Sequence, residues 1–100
     1  PSPISTVKLQ GQFVLSAKTV LVFDEFFSHE AKLLQDDIAQ FLGKKLTTNK
    51  DLSTPVIIFK KVNGLAKEAY QLKVKPDSII IAATQTAGAF YAVQSLKMLM

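Results

Sequence analysis

The sequence predicts one α+β domain over residues 1–100, in which an antiparallel or mixed β-sheet carries two α-helices on one face. Strand-like and helix-like segments follow one another in the order strand, strand, helix, strand, strand, strand, helix. One hundred residues, 48% of them apolar, have the size and composition of a single globular domain. A chain of this length buries roughly two-thirds of its unfolded surface. It can therefore form a core without disulfides, and it contains no cysteine.

Two extended segments open the chain. The first covers residues 7–15 and is broken by Gly11. The second covers residues 19–23 and is rich in β-branched residues, which favour strands. Both segments are therefore predicted as strands.

The first helix is marked at both ends by residues with capping preferences. Ser28 is predicted as its N-cap, and the Glu30 carboxylate lies in the first turn, where the helix dipole favours it. The helix is predicted to run to about Leu42, with Gly43 as a left-handed C-terminal cap. At roughly 100° per residue its main apolar residues form one stripe that needs one neighbour, the sheet. They are Ala31, Leu34, Ile38, Phe41 and Leu42.

A polar loop and a buried strand follow the first helix. The loop is predicted over residues 44–54, and Pro55 separates it from the strand at residues 56–59. A second loop is predicted over residues 63–67. The short, continuous apolar run between these loops is typical of a strand that is buried on both faces.

The next two strands are predicted to form a hairpin. Apolar and polar residues alternate over residues 70–74, which indicates a half-buried strand with one face in water. Residues 75–78 have proline at the second position, as in a tight turn. The strand at residues 79–83 follows directly, so the two strands are expected to pair.

The last helix is apolar on more than one side. Thr84 is its predicted N-cap, and the helix is expected to run to Met100. Tyr91 and Met98 lie roughly opposite the main stripe, with Phe90 near the edge. The main stripe consists of Ala92, Val93, Leu96, Leu99 and Met100.

Such a helix is usually buried on more than one side. Phe90, Tyr91 and Met98 are therefore predicted to dock on a partner outside these residues, and no glycine cap follows the apolar residues 96–100. Left uncovered, this side can cause weak self-association of the chain. Two alternatives stay open: the sheet curls around the helix, or Tyr91 is half exposed.

The charge pattern argues against nucleic acid as a partner. The formal net charge is +4, and all twelve lysine and arginine positions are scattered lysines. Nucleic-acid sites favour the bidentate fork of arginine, which is absent from the chain. No apolar run approaches the roughly 20 residues of a membrane span. The chain starts Pro1-Ser2-Pro3, without the basic and apolar regions of a signal peptide.

No catalytic, cofactor-binding or metal-binding set is recognisable in the chain. His29 is the only histidine and has no neighbouring ligands, whereas a metal site needs three or four. Asp24-Glu25 and Asp36-Asp37 are adjacent pairs. Neighbours on a helix point about 100° apart, so such a pair does not share a proton across a cleft. A sugar-binding module is also disfavoured, because there is no tryptophan and most aromatic residues are at core-facing positions.

The final third of the chain resembles the end of the N-terminal domain of family 20 glycoside hydrolases, the β-N-acetylhexosaminidases and chitobiases. The resemblance is carried by E-A-Y-Q-L-K-V at residues 68–74, P-D-S-I-I-I at residues 76–81 and T-A-G-A-F-Y-A-V-Q-S-L at residues 86–96. The opening agrees through Pro3, G-Q-F-V-L at residues 11–15 and Thr19. Ser78 departs from the family, which commonly has glycine at that position.

The helix motif has a physical interpretation. Gly88 and the alanines beside it are expected to let the helix approach a neighbouring backbone closely. Phe90, Val93 and Leu96 are expected to fill the space over the sheet, with Gln94 as a polar contact among them.

The resemblance implies a non-catalytic domain of a larger, secreted or periplasmic enzyme. Its (β/α)8 barrel would lie beyond residue 100 and remove terminal N-acetylhexosamine from glycans or chitooligosaccharides. In that family the barrel carries an aspartate-glutamate pair, and the acetamido group of the substrate is the nucleophile. No cofactor is implied, and this chain alone is expected to be inactive. Two alternatives remain: the equivalent domain of a family 84 O-GlcNAc hydrolase or hyaluronidase, and a free-standing binding module.

Overall fold

The computed structural model describes residues 6–48, 51 and 53–100, and it contains a two-stranded and a five-stranded sheet. Strands β1 (Thr6–Leu9) and β2 (Phe13–Ser16) form an antiparallel hairpin. The extended segment predicted over residues 7–15 is thus two strands, and the predicted break at Gly11 is the turn between them. The chain reverses at Gln10 and Gly11, both of which have positive φ angles, 50° and 70°. Pro3, which formed part of the resemblance, lies outside the described residues.

The five-stranded sheet is mixed, with the order β4-β3-β5-β7-β6. Strands β4, β3, β5 and β7 are parallel to one another, and β6 is antiparallel to β7. The strands are β3 (Val20–Phe23), β4 (Thr47–Thr48), β5 (Val56–Lys61), β6 (Tyr70–Val74) and β7 (Ser78–Ala83).

The predicted polar loop contains an edge strand. Thr47 and Thr48 form β4, and Thr47 pairs with Val20 of β3. Leu46, directly before them, is 2% exposed. The loop prediction is thus wrong at these positions, because pairing with β3 outweighs the polar composition of the segment. Residues 49, 50 and 52 of the predicted loop lie outside the described residues.

The predicted hairpin of β6 and β7 is confirmed. The N–H of Lys75 donates to the carbonyl of Ser78 at 2.8 Å, and the N–H of Ser78 donates to the carbonyl of Lys75 at 3.4 Å. These bonds close the turn at Pro76 and Asp77. In β6 the half-buried and exposed side chains alternate, as the sequence pattern predicts.

Helix α1 (Ser28–Leu42) begins differently from the prediction. A 3-10 helix, Glu25–Phe27, precedes it, and the Asp24 carboxylate caps this helix by accepting from the N–H of Phe26 at 2.8 Å. Ser28 is therefore the first helical residue of α1 and not its N-cap. The C-terminal prediction is confirmed: Gly43 has a φ of 72° and its N–H donates to the carbonyl of Ala39 at 2.8 Å.

Helix α2 (Thr86–Leu99) also lacks its predicted cap. Gln85 occupies the N-cap position and makes no side-chain cap bond. The Thr84 hydroxyl instead accepts from the N–H of Leu65 at 2.9 Å. Thr84 therefore ties the loop before β6 to the end of β7, which is a different role from the one predicted.

Both helices lie on one face of the five-stranded sheet, as the sequence predicts. Helices α1 and α2 contact each other, α1 contacts β3, and α2 contacts β6 and β7. The side chains of Leu21, Ile57 and Ile79 form one row across the sheet and lie in the core with residues of both helices. The first hairpin adds Leu9, Phe13 and Leu15 to the same core. No helix among the described residues is long and apolar enough to cross a membrane.

Candidate interdomain surface

The inner side of α2 is built from small residues that let the helix approach the sheet closely. Gly88 is buried, and a Cβ atom added to it would overlap the carbonyl oxygen of Ala69 and lie 3.1 Å from the Cβ of Ala83. The expected close approach at Gly88 is therefore confirmed. The buried side chains on this side are Ala89, Ala92, Val93 and Leu96.

The outer side of α2 is apolar and exposed. Phe90, Tyr91 and Met98 are 40%, 45% and 87% exposed. At about 100° per residue they lie within one side, opposite the buried stripe. The rings of Phe90 and Tyr91 meet edge to face, with centroids 5.8 Å apart. We call these three residues, with Gln94 between them on the helix, the α2 outer surface.

Two details of the predicted stripe are corrected. Val93 and Leu96 fill the space over the sheet, but Phe90 does not, because it points to the outer side. Leu99 was expected in the buried stripe and is 39% exposed. The sheet does not curl around the helix on this side, which excludes that explanation of its apolar residues.

The outer side of α1 is polar by contrast. His29, Lys32, Asp36 and Gln40 are exposed along it. The two helices lie side by side on the sheet, and the outer side of each faces solvent. The outer sides of the two helices therefore differ in polarity, apolar on α2 and polar on α1.

Two polar contacts join α2 to neighbouring elements, and a third closes its last turn. The Tyr70 and Ser95 hydroxyls are hydrogen-bonded, which ties the helix to the edge strand β6. Lys97 forms an ion pair with Asp37 of α1 at 3.5 Å. The N–H of Met100 donates to the carbonyl of Lys97 at 3.2 Å and closes the last turn. The hydrogen bond joins α2 to β6 and the ion pair joins it to α1. Neither contact involves Phe90, Tyr91 or Met98 of the α2 outer surface.

The polar residues singled out in the sequence do not converge on a site. Asp36 pairs with Lys45 at 3.8 Å, whereas Asp37 pairs with Lys97, so the two carboxylates point to different partners. His29 is exposed in a shallow groove beside α1 that Ser28 and Lys32 also line. No group of three potential metal ligands occurs among the described residues.

Glu30 is a feature that the sequence reasoning missed. The prediction placed its carboxylate in the first turn of α1 and did not address burial, and the side chain is only 6% exposed. The Oε1 atom is buried and has no hydrogen-bond partner in the part of the chain that the structure describes. The signal was available: Glu30 lies four residues before Leu34 and so shares its side of the helix.

Phe26 was also missed. Its ring is 41% exposed and meets the Phe27 ring edge to face, at a centroid distance of 5.1 Å. The Lys61 ammonium group lies 4.8 Å from the centroid of the same ring. This cation–π contact covers part of the Phe26 ring.

Comparisons with known proteins agree over nearly the whole chain. Residues 1–100 match the family described as glycosyl hydrolase family 20, domain 2. The chain is 32% identical over 97 residues to the N,N'-diacetylchitobiase of Vibrio harveyi, covering 96% of this chain and 11% of that protein. The family 20 β-N-acetylhexosaminidase of Streptomyces coelicolor has the same fold, with a TM-score of 0.69 at 26% identity. That match covers 99% of this chain and 20% of the hexosaminidase chain.

Proposed function

The chain belongs to the domain 2 family of family 20 glycosyl hydrolases, and on that premise we propose that it is a non-catalytic domain that docks on the catalytic barrel of a β-N-acetylhexosaminidase. The parent enzyme removes terminal N-acetylhexosamine from glycans or chitooligosaccharides and is secreted or periplasmic. The family match supports this parent over a family 84 enzyme. The chain spans 11% and 20% of its two relatives, so most of such an enzyme lies in other parts.

The α2 outer surface carries this proposal. Full burial of a large apolar side chain stabilises by about 1.5–3 kcal/mol. Met98 is 87% exposed and would gain most of that value on docking. Phe90 and Tyr91 are already more than half buried and would gain roughly half of it each. Docking through these residues would therefore offset a substantial part of the entropy cost of fixing the two domains relative to each other.

The domain contributes position and stability, and the barrel contributes the chemistry. No set of facing carboxylates occurs among the described residues that could serve as acid and base for glycoside hydrolysis. The hydrogen bond of Ser95 and the ion pair of Lys97 hold α2 on its own domain. A rigid helix presents its outer side in one orientation, which suits a permanent interdomain contact.

The test is the melting temperature of Tyr91→Asp and Met98→Asp, each in the full-length enzyme and in the 100-residue chain. In the full-length enzyme either variant would bury an unpaired charge, with an expected cost of a few kcal/mol. In the 100-residue chain the same positions face water, so the change is expected within about 0.5 kcal/mol. Substrate affinity should change much less than stability.

Gln40→Asp provides a matched control, since Gln40 is exposed on the polar side of α1. It should leave both melting temperatures nearly unchanged. Equal losses in the two proteins for Tyr91→Asp and Met98→Asp would place these residues in the core of this domain. That result would end the docking proposal.

A further inference from the structure

Glu30 is a buried acidic residue whose side chain lacks a partner. It is 6% exposed, and its Oε1 atom accepts no hydrogen bond from any residue that the structure describes. Glutamate is almost never buried in this way unless it is paired, because an unpaired charge loses its hydration without compensation. The carboxylate therefore either destabilises the domain or has a partner outside it.

Glu30 lies on the side of α1 that faces α2. It precedes Asp37 by seven residues, which is about two helical turns, so the two side chains leave α1 in nearly the same direction. Asp37 forms the ion pair with Lys97 of α2. The opposite flank of α1 carries Gln35, whose side-chain N–H donates to the carbonyl of Leu46, directly before the edge strand β4. Two independent contacts thus assign the two flanks of α1.

The two helices run in the same direction. The last turn of α2 meets the middle of α1 through Lys97 and Asp37, whereas the 3-10 helix Glu25–Phe27, at the start of α1, also contacts α2. An antiparallel α2 would end about 5 Å beyond Lys97, whereas Phe27 lies about 15 Å before Asp37 along α1. Only a parallel arrangement lets α2 make both contacts.

The parallel arrangement places Phe90 at the level of Glu30. Phe90 precedes Lys97 by the same seven residues by which Glu30 precedes Asp37. In the groove between the helices, a carboxylate therefore has a lysine opposite it at one level and a phenylalanine opposite it two turns earlier. Phe90 belongs to the α2 outer surface and is 40% exposed. Glu30 thus lies at the edge of the surface on which the barrel is proposed to dock.

The nearest cations of this domain are engaged or point elsewhere. Lys97, which faces the same groove, is paired with Asp37 at 3.5 Å and lies about 10 Å further along the helix than Phe90. His29 lines the groove on the opposite flank of α1. No ion pair involves Glu30 within residues 6–48, 51 and 53–100. A cation that pairs with Glu30 therefore has to come from outside these residues.

We propose that Glu30 binds one cationic side chain of the catalytic barrel, which enters beside Phe90 when the barrel covers the α2 outer surface. The inference rests on the proposed function and adds one charged contact to a surface that is otherwise apolar. Arginine suits this position, since its guanidinium group pairs with carboxylates and stacks on aromatic rings. Such a pair fixes the register of the two domains, which apolar contacts alone do not specify.

The test is the sign of the stability change in Glu30→Met. In the 100-residue chain this variant should raise the melting temperature, because it removes a buried oxygen that lacks a partner. In the full-length enzyme it should lower the melting temperature by several degrees, because it leaves the cation of the barrel buried and unpaired. The expected result is therefore a reversal of sign between the two proteins.

Asp37→Asn is the matched control. Asp37 is a carboxylate in the same groove, but its partner Lys97 belongs to this domain. The control should lower both melting temperatures by similar, small amounts, because the pair is partly exposed and is present in both proteins.

The outcomes separate the ion pair from docking itself. If Glu30→Met raises both melting temperatures, the carboxylate is unpaired in the enzyme as well. If it lowers both equally, the partner of Glu30 lies within this domain. Either result overturns the ion pair, whereas docking is judged by Tyr91→Asp and Met98→Asp. Equal losses for those two variants in the two proteins would overturn docking and the ion pair together.

A crystal structure of the full-length enzyme gives a measurement that does not depend on melting. A lysine or arginine nitrogen of the barrel should lie within about 4 Å of the Glu30 carboxylate. A carboxylate that meets only water, or only groups of its own domain, would overturn the proposal.

Discussion

The substitution Gly88→Ala adds one methyl group and has two opposing effects on the stability of the fold. Alanine is the better helix former by about 0.8–1 kcal/mol in a helix interior. The added Cβ, however, would overlap the carbonyl oxygen of Ala69 and lie 3.1 Å from both the carbonyl carbon of Ala69 and the Cβ of Ala83. The blocking atoms of Ala69 are backbone atoms, so no side-chain rotation can move them away.

We expect the steric cost to exceed the gain in helix propensity. Overpacking of a buried position costs typically about 1–3 kcal/mol, and more where backbone must move. Subtracting the propensity gain of about 1 kcal/mol leaves a net loss of up to about 2 kcal/mol for Gly88→Ala. For a chain of this size each kcal/mol corresponds to about 4–8 °C in melting temperature. The assay is thermal unfolding of the 100-residue chain, followed by circular dichroism.

Ala87→Gly serves as the control for helix propensity, because Ala87 is the preceding residue of the same turn and is only half-buried. It should cost about 1 kcal/mol, without any steric conflict. A Gly88→Ala protein that melts at or above the temperature of the original would refute the reasoning. The helix would then have room to move away from Ala69, and its close seating on the sheet would not be a requirement of the fold.

Three further predictions follow from other contacts. Glu30→Met should raise the free energy of unfolding of the 100-residue chain by about 1–3 kcal/mol, because it removes a buried carboxylate oxygen that has no hydrogen-bond partner among the described residues. Urea unfolding measures this change, and a loss of stability would mean that the carboxylate makes a stabilising contact. Gly43→Ala should lower stability by about 1 kcal/mol, since the cap has a φ of 72°, and an unchanged midpoint would contradict this. The purified 100-residue chain should not hydrolyse a chromogenic N-acetylglucosaminide above a buffer control, and turnover would contradict the assignment of the chemistry to the barrel.

The elements with strong local signals were predictable from sequence. The β6–β7 hairpin has alternation on one strand and a proline turn between the two. The end of α1 has a glycine with the left-handed conformation that glycine favours. The α2 outer surface could be predicted because Tyr91 and Met98 lie on the side of the helix opposite the stripe that packs in the core. In each case residues within a few positions of one another carry the information.

The elements that depend on distant partners were not predictable. β4 exists because Thr47 and Thr48 pair with β3 across the whole of α1. Ser28 and Thr84 are good N-cap residues in isolation. A 3-10 helix precedes α1, so Ser28 is not at an N-cap position. The Thr84 hydroxyl accepts a hydrogen bond from the N–H of Leu65 and does not cap α2.

The parallel pairing of β3, β5 and β7 has a consequence for synthesis on the ribosome. β3 and α1 emerge early, but β5 pairs with β3 only after α1 and the following loop, and β7 completes the sheet later still. Closing such long loops is slow, whereas the β6–β7 turn closes locally. The β1–β2 and β6–β7 hairpins can therefore form locally, whereas β3 must wait for β5, and β5 for β7, to be translated. Until α2 has left the exit tunnel, the apolar strands of the first half are open to chaperones and to misassembly.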